Sequence, residues 1–259
     1  MKTSNAFAAA PAVLNAPKAI VVRAPGSNCD RETALALELA GASVDRIHVE
    51  RLVEQPSLID AAQMIVLPGG FSFGDHLGAG SLWARRLAVV EESLNRVVAS
   101  GHPVLGICNG FQALMKLGLL EGGALGHNAS GHFECRWVWL EKPANATTPL
   151  LDGITRIALP VANGEGRFVA SDAGAVDRLA ANGSLALQYV DTDGPTMTYP
   201  ANPNGSAGAV AAIANAAGNV LGIMPHPERN VISGQAPMGR EDGAGLAIFR
   251  NLVRVAKGV

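Results

Sequence analysis

Cys108 lies in the run VLGICNGFQALMKLGLL (104–120), between Gly106 and Gly110, where a short apolar stretch gives way to a helical pattern. A nucleophile flanked by glycines two residues to either side has the form of a nucleophile elbow. In that turn, the side chain projects from a strained junction between strand and helix. Phe111, Leu114, Met115, Leu117 and Leu119 supply the apolar face of the helix, whose N-terminal amides favour a thiolate over a thiol. Most buried cysteines are only packed. The paired glycines and the strand-to-helix junction set Cys108 apart as a nucleophile.

A thiol nucleophile needs a base, and the base needs a partner to orient it. Of the six histidines, His226 has the setting that fits, in MPHPER directly after an apolar run and two residues before Glu228. Extended backbone through Pro225 and Pro227 would put His226 and Glu228 on one face, and the prolines would keep the segment from turning helical. A His-x-Glu pair alone is weak evidence; together with an elbow cysteine it predicts a Cys108-His226-Glu228 triad. Attack of a thiol on a carbonyl also needs donors for the oxyanion. LPGGFSFGD (67–75) offers the amide of Gly70, and Asn109 offers the next one after the nucleophile. Alone, the two glycines would equally suit a simple turn.

The elements that must position these groups follow from periodicity. AIVVRAPG (19–26), QMIVLPGG (63–70) and HPVLGIC (102–108) are apolar runs without clean alternation, as suits strands buried on both faces of a parallel sheet. Between them lie helical patterns. Asp30 can cap DRETALALELAGA, with Leu35, Leu39 and Ala42 on one face and Gly41 at the exit, and 81–101 scans as one longer amphipathic helix. Runs at 133–142, 154–162, 185–194 and 207–215 look like strands with little helix between them. NVLGIMPHPER (219–229) then returns to the sheet before a terminal helix. The expected fold is α/β: an open, mostly parallel, doubly wound sheet with an antiparallel extension.

Composition narrows the function classes. With 259 residues, 48% of them hydrophobic and 16% charged, the chain can bury one large core. A net charge of -2 provides no basic field for nucleic acid. The three cysteines, Cys29, Cys108 and Cys135, have no zinc-type spacing, which points to a reducing cytoplasm and no metal. No run reaches the roughly 18 apolar residues of a membrane span. Residues 1–18 contain AFAAAPAVL, a thin imitation of a secretory signal interrupted by Pro11, and are expected to form a flexible tail before a domain over 19–259.

Seven motifs together carry a resemblance: APGSNCD (24–30), LPGGFSFGD (67–75), GICNGFQ (106–112), FECRW (133–137), NGEGRF (163–168), YPANPNGS (199–206) and GIMPHPER (222–229). From about residue 19 to residue 256 the chain resembles the class I glutamine amidotransferases, with their flavodoxin-like sheet. Within that class it resembles the glutaminase subunits of the purine-synthesis ligase that makes formylglycinamidine ribonucleotide. The resemblance implies hydrolysis of L-glutamine by Cys108, His226 and Glu228 through a γ-glutamyl thioester, with Gly70 and Asn109 as oxyanion amides. It also implies that Gly69, Phe71 and Gln112 contact the substrate and that Cys29 and Cys135 are structural. The ammonia would pass to a large synthetase subunit, accompanied by a small accessory subunit. ATP and Mg would be used by that partner, since this chain has no phosphate-binding GxxxxGK[ST] loop. His76, Gly78 and Asn163 depart from the family pattern. Other readings remain at this level: a glutaminase serving a different acceptor, a related α/β cysteine hydrolase, or a silent glutamine-binding subunit.

Overall fold

The computed structural model describes residues 16–259, so most of the tail expected over 1–18 lies outside the described residues. Lys18 is already the first residue of the sheet. Strands β1 (Lys18–Arg23), β2 (Ser43–His48), β3 (Met64–Leu67), β4 (Val104–Ile107) and β11 (Val220–Ile223) pair in parallel in the order β2-β1-β3-β4-β11. All four residues of β3, of β4 and of β11 are buried, which is why these strands are continuous apolar runs and not alternating ones. The same sheet continues through β10 (Val210–Ala214), β9 (Leu185–Val190), β6 (Glu134–Glu141) and β7 (Arg156–Asn163), all paired antiparallel, so the expected extension is present. β2 and β7 are its two edges. A separate antiparallel pair, β5 (Gly123–His127) with β8 (Glu165–Ala170), lies beyond the helix that follows Cys108.

The chain leaves β1 outward to β2 and returns on the other side to β3. This reversal opens a crevice at the carboxyl ends of the strands, where ligands of such sheets bind. The helices are α1 (Asp30–Leu39), α2 (Val49–Glu54), α3 (Ser57–Asp60), α4 (Ser81–Leu87), α5 (Glu91–Ala99), α6 (Asn109–Lys116), α7 (Ala175–Ala181) and α8 (Leu246–Ala256). Helix α6 is seated by missing side chains. Gly106 of β4 and Gly222 of β11 are register partners. A Cβ on Gly222 would fall 2.0 Å from the Phe111 ring, one on Gly106 would fall 2.5 Å from Leu114, and one on Gly110 would fall 1.9 Å from the Leu67 carbonyl.

Three expectations about helices need correction. Asp30 does not cap α1. Cys29 holds the cap position without a side-chain bond, and the Asp30 carboxylate pairs instead with Arg23 and Arg46, each at 3.0 Å. Leu35 and Leu39 share a face, but it is the outer one, exposed at 41% and 46%, while Thr33, Ala34, Ala36 and Leu37 face inward. The small inner residues let α1 lie close to the sheet, and a helix rich in Ala and Leu on every side does not announce its buried face. The single helix expected over 81–101 is α4, a 3₁₀ turn at Ala88–Val90, and α5. Val90 leaves helical geometry (φ −115°, ψ 19°) and buries its side chain, and Glu91 and Glu92 open the new helix with the sign its dipole favours. Helix α7, within the segment read as mostly strand, was not expected.

Gly110→Ala tests the seating of α6. The added methyl collides with backbone and not with a movable side chain, so urea unfolding is expected to show a loss of about 3 kcal/mol or more, whereas Ala113→Gly, a cavity and propensity change, should cost about 1 to 2.

Candidate active site

Cys108 is the hinge between β4 and α6. Its backbone is at φ 50°, ψ −105°, a conformation that costs a non-glycine residue on the order of 1 to 3 kcal/mol and persists only when its surroundings hold it. Its N–H donates to the Ile223 carbonyl at 2.8 Å and its carbonyl accepts the Gln112 N–H at 3.1 Å, so β11 and the first turn of α6 together fix the elbow. The thiol is 5% exposed and lines a cavity of about 250 Å³ that also touches His226, Gly70, Phe71, Asn28 and Arg229. A larger cavity of about 460 Å³, beside Glu121 and Arg178, contains none of these groups.

His226 and Glu228 meet, but not along an extended strand. Pro227–Arg229 form a 3₁₀ turn, with Pro227 at its first position, where a missing N–H costs nothing. The expectation that the prolines would prevent a helical turn is therefore wrong, while the pairing it was meant to explain is present. His226 Nδ1 lies 2.6 Å from Glu228 Oε1, and both side chains are buried. The His226 N–H donates to the Pro160 carbonyl at 2.8 Å. With Nδ1 engaged, Nε2 is the free ring nitrogen; it is buried and has no hydrogen-bond partner among the described residues. Burial disfavours the imidazolium, yet the negative charges of Glu228 and of Cys108 as a thiolate outweigh it and hold the His226 pKa well above its usual value.

Gly70 sits at φ 149°, with a virtual Cβ 2.8 Å from the backbone of Gly26, Ser27 and Asn28, so no larger residue fits against the loop that follows β1. The two loops are joined by Phe71 N–H to the Gly26 carbonyl (3.0 Å) and Cys29 N–H to the Gly69 carbonyl (3.2 Å). Gly69 makes room for the imidazole, since a Cβ there would lie 2.7 Å from His226 Cε1. Asn109 is the first residue of α6, so its N–H has no carbonyl one turn earlier to bind. Phe71 stands half-exposed at the mouth, its ring 6.4 Å from that of Phe133. Gln112 is placed differently from the rest. Its carboxamide donates to the Glu165 carbonyl and accepts from Asn109 Nδ2, and it does not line the cavity.

Cys29, expected as a packed residue at the edge, lies closer in. Its Sγ is 4.0 Å from His226 Nδ1 and 3.1 Å from Arg229 Nη2. Cys29, His226 and Glu228 bring three donor atoms within 4.8 Å of one another, the kind of cluster that can hold a metal. Two features argue against a fit: Nδ1 is already committed to Glu228, and the Arg229 guanidinium, hydrogen-bonded to the Cys29 thiol, would repel a cation there. Cys135 is at the pocket wall and exposed.

Sequence reasoning missed Asp75 and Glu165. The Asp75 carboxyl is pushed up to about 6 by burial and by the charge of Glu165, against the hydrogen bond from Asn109. Neither residue has a motif of its own; each lies inside a stretch noted for its glycines. Of the three departures, His76 is exposed and Gly78 takes φ 93°. Asn163 is buried, its Oδ1 accepting Asn204 Nδ2 at 2.6 Å and its carbonyl accepting Asn128 Nδ2 at 2.8 Å.

Comparison with known proteins places these features in a family. The model of the CobB/CobQ-like glutamine amidotransferase domain matches residues 16–255. The phosphoribosylformylglycinamidine synthase subunit PurQ of Dehalococcoides mccartyi is 41% identical over 256 residues, covering 93% of this chain and 98% of that protein. The subunit of the same name from Treponema denticola is 40% identical over 242 residues, covering 83% of this chain and 89% of its own. Among solved structures, PurLQS from Thermotoga maritima superposes with a TM-score of 0.73 at 36% identity, covering 92% of this chain and 98% of the other.

Asp75 gives the site a pH-dependent cost. A native carboxyl that holds its proton more tightly than the unfolded chain does loses stability as pH rises from its ordinary 3.8 to about 6. Asp75→Asn keeps the acceptor without the charge. Its melting temperature should equal that of the wild type near pH 4 and exceed it above pH 6 by roughly 2 to 4 °C, once solvent screening of this half-buried group is allowed for.

Proposed function

The chain belongs to the CobB/CobQ-like glutamine amidotransferase domain family, and within it to the family of the PurQ subunits; from that membership we propose that it is the glutaminase subunit of phosphoribosylformylglycinamidine synthase. The observation that carries the reading is a strained cysteine and a buried His-Glu dyad that line one cavity at the carboxyl ends of a parallel sheet. Residues 19–259 act as one glutaminase domain.

Glutamine enters the cavity of about 250 Å³ with its side-chain amide toward Cys108. The thiolate attacks the amide carbon, and the oxygen that becomes negative is taken by the N–H groups of Gly70 and Asn109, each worth about 2.7 to 4 kcal/mol in such a role. His226 Nε2–H gives its proton to the leaving nitrogen, ammonia departs, and a γ-glutamyl thioester remains. The same nitrogen then takes a proton from water as the water attacks the thioester, releasing glutamate and restoring the thiolate–imidazolium pair. Glu228 holds Nδ1–H throughout, so the ring cannot turn Nε2 away, and it stabilises the imidazolium as it forms. Gly69 and Phe71 shape the wall beside the substrate, and Gln112 acts on it by way of the backbone at Glu165.

The ammonia goes to a synthetase subunit that uses ATP and Mg to activate formylglycinamide ribonucleotide, with a small accessory subunit in the same assembly. The likeness to PurLQS supports that partnership. The expected cytoplasmic location fits this role, and no helix among the described residues is long and apolar enough to cross a membrane.

Diazo-oxo-norleucine should add once to the protein, at Cys108, and excess glutamine should block the adduct; an adduct elsewhere, or none in the presence of the synthetase, would falsify the triad. In the assembled synthase, Cys108→Ser should abolish the glutamine-driven reaction and leave the ammonium-driven one intact. Glu228→Gln removes the charge that raises the His226 pKa. The alkaline limb of kcat/KM should therefore move to lower pH, with a fall of about 100-fold or more at the optimum.

A further inference from the structure

The two amides assigned to the oxyanion belong to different elements, Gly70 to the loop after β3 and Asn109 to the first turn of α6. Two donors can bind one oxygen only if their separation is held to a few tenths of an ångström, each about 2.7 to 3.1 Å from it. The loop is poorly suited to hold itself. Positive φ angles occur at Gly70, Phe73, Gly74, Asp75, Leu77 and Gly78, and three of these are non-glycine residues. Such backbone stays in place only where its surroundings over-determine it.

The Asn109 side chain joins the two elements. It is 1% exposed, and all its polar capacity is directed at this junction. Its Oδ1 accepts the Ser72 N–H at 3.2 Å; its Nδ2 donates to Asp75 Oδ1 at 3.0 Å and to Gln112 Oε1 at 3.0 Å. The chemistry fixes which end is which, because the oxygen meets an N–H and the nitrogen meets a carboxylate and a carbonyl. No other side chain of this length accepts on one side and donates twice on the other. Asp would set a second carboxylate against Asp75, and Ser could not span the gap.

We propose that the Asn109 carboxamide, anchored on Asp75, is a positioning group that sets the distance between the Gly70 and Asn109 amides. The residue next to the nucleophile thus serves twice, with its backbone as donor and with its side chain as the strut that aligns the other donor. This rests on the glutaminase reading of Cys108.

The test compares two reactions of the same thiol in the assembled synthase. Glutamine hydrolysis passes through an oxyanion. Alkylation by iodoacetamide does not: sulfur displaces iodide from carbon and no carbonyl is attacked. For Asn109→Ala and Asn109→Asp, kcat for glutamine should fall about 100-fold or more while KM stays within about threefold and the alkylation rate within about threefold of wild type. Asp75→Asn, which keeps the acceptor, should retain kcat, and Asp75→Ala should lose it as Asn109→Ala does. If Asn109→Ala keeps kcat, or loses alkylation in the same proportion as hydrolysis, the strut is disproved and the glutaminase reading stands. A wild-type synthase with no glutamine hydrolysis, although its thiol alkylates, would overturn the glutaminase reading, and the strut with it.

Discussion

Helix α6 lies closer to the sheet than side chains would normally permit, and the site depends on that approach. Three glycines create it, one on each of two neighbouring strands and one on the helix itself, with Leu67 O, Leu114 and Phe111 in the space their side chains would need. If the helix moved outward by the width of a methyl group, Cys108 could not span the end of β4 and the start of α6. The strained turn then exists because the packing on either side of it is better than it would be with the turn relaxed.

The second constraint is electrostatic. His226 and Glu228 are sealed from solvent, and removing two ionisable groups from water costs more than their attraction returns unless each remaining lone pair and proton finds a partner. Here two positions stay open, Nε2 of the histidine and Oε2 of the glutamate. His226 lines the cavity that contains Cys108, and the chemistry proposed for it needs a proton to be gained and lost at Nε2. Stability is given up at the position where the proposed reaction requires an unsatisfied group.

Much of this was legible in the residue order. Buried parallel strands show as unbroken apolar runs, and a cysteine between two glycines at a strand end shows as an elbow between strand and helix. The contact of His226 with Glu228 could be anticipated from spacing two, though its cause was misjudged: a proline that opens a turn and one that stiffens a strand look alike in a string of letters. The inner face of α1 was misread because alanine and leucine alternate around it. Asp75 and Asn109 could not be paired from sequence at all. They are 34 positions apart, and the contact exists only once the β3 loop has folded back over the first turn of α6.

The hydrogen bond from the His226 N–H to the Pro160 carbonyl has a consequence for one edge of the sheet. Pro160 belongs to β7, which is eight places across the sheet from β2 in strand order and has one side unpaired. Proline has no N–H to offer a passing strand. The outward carbonyls of Pro160 and Ala158 are taken by His226 and by Asn230 Nδ2. The segment that carries His226 therefore also blunts a β-edge against addition of a foreign strand. The opposite edge, β2, relies on Asp45 and Arg46 for the same protection.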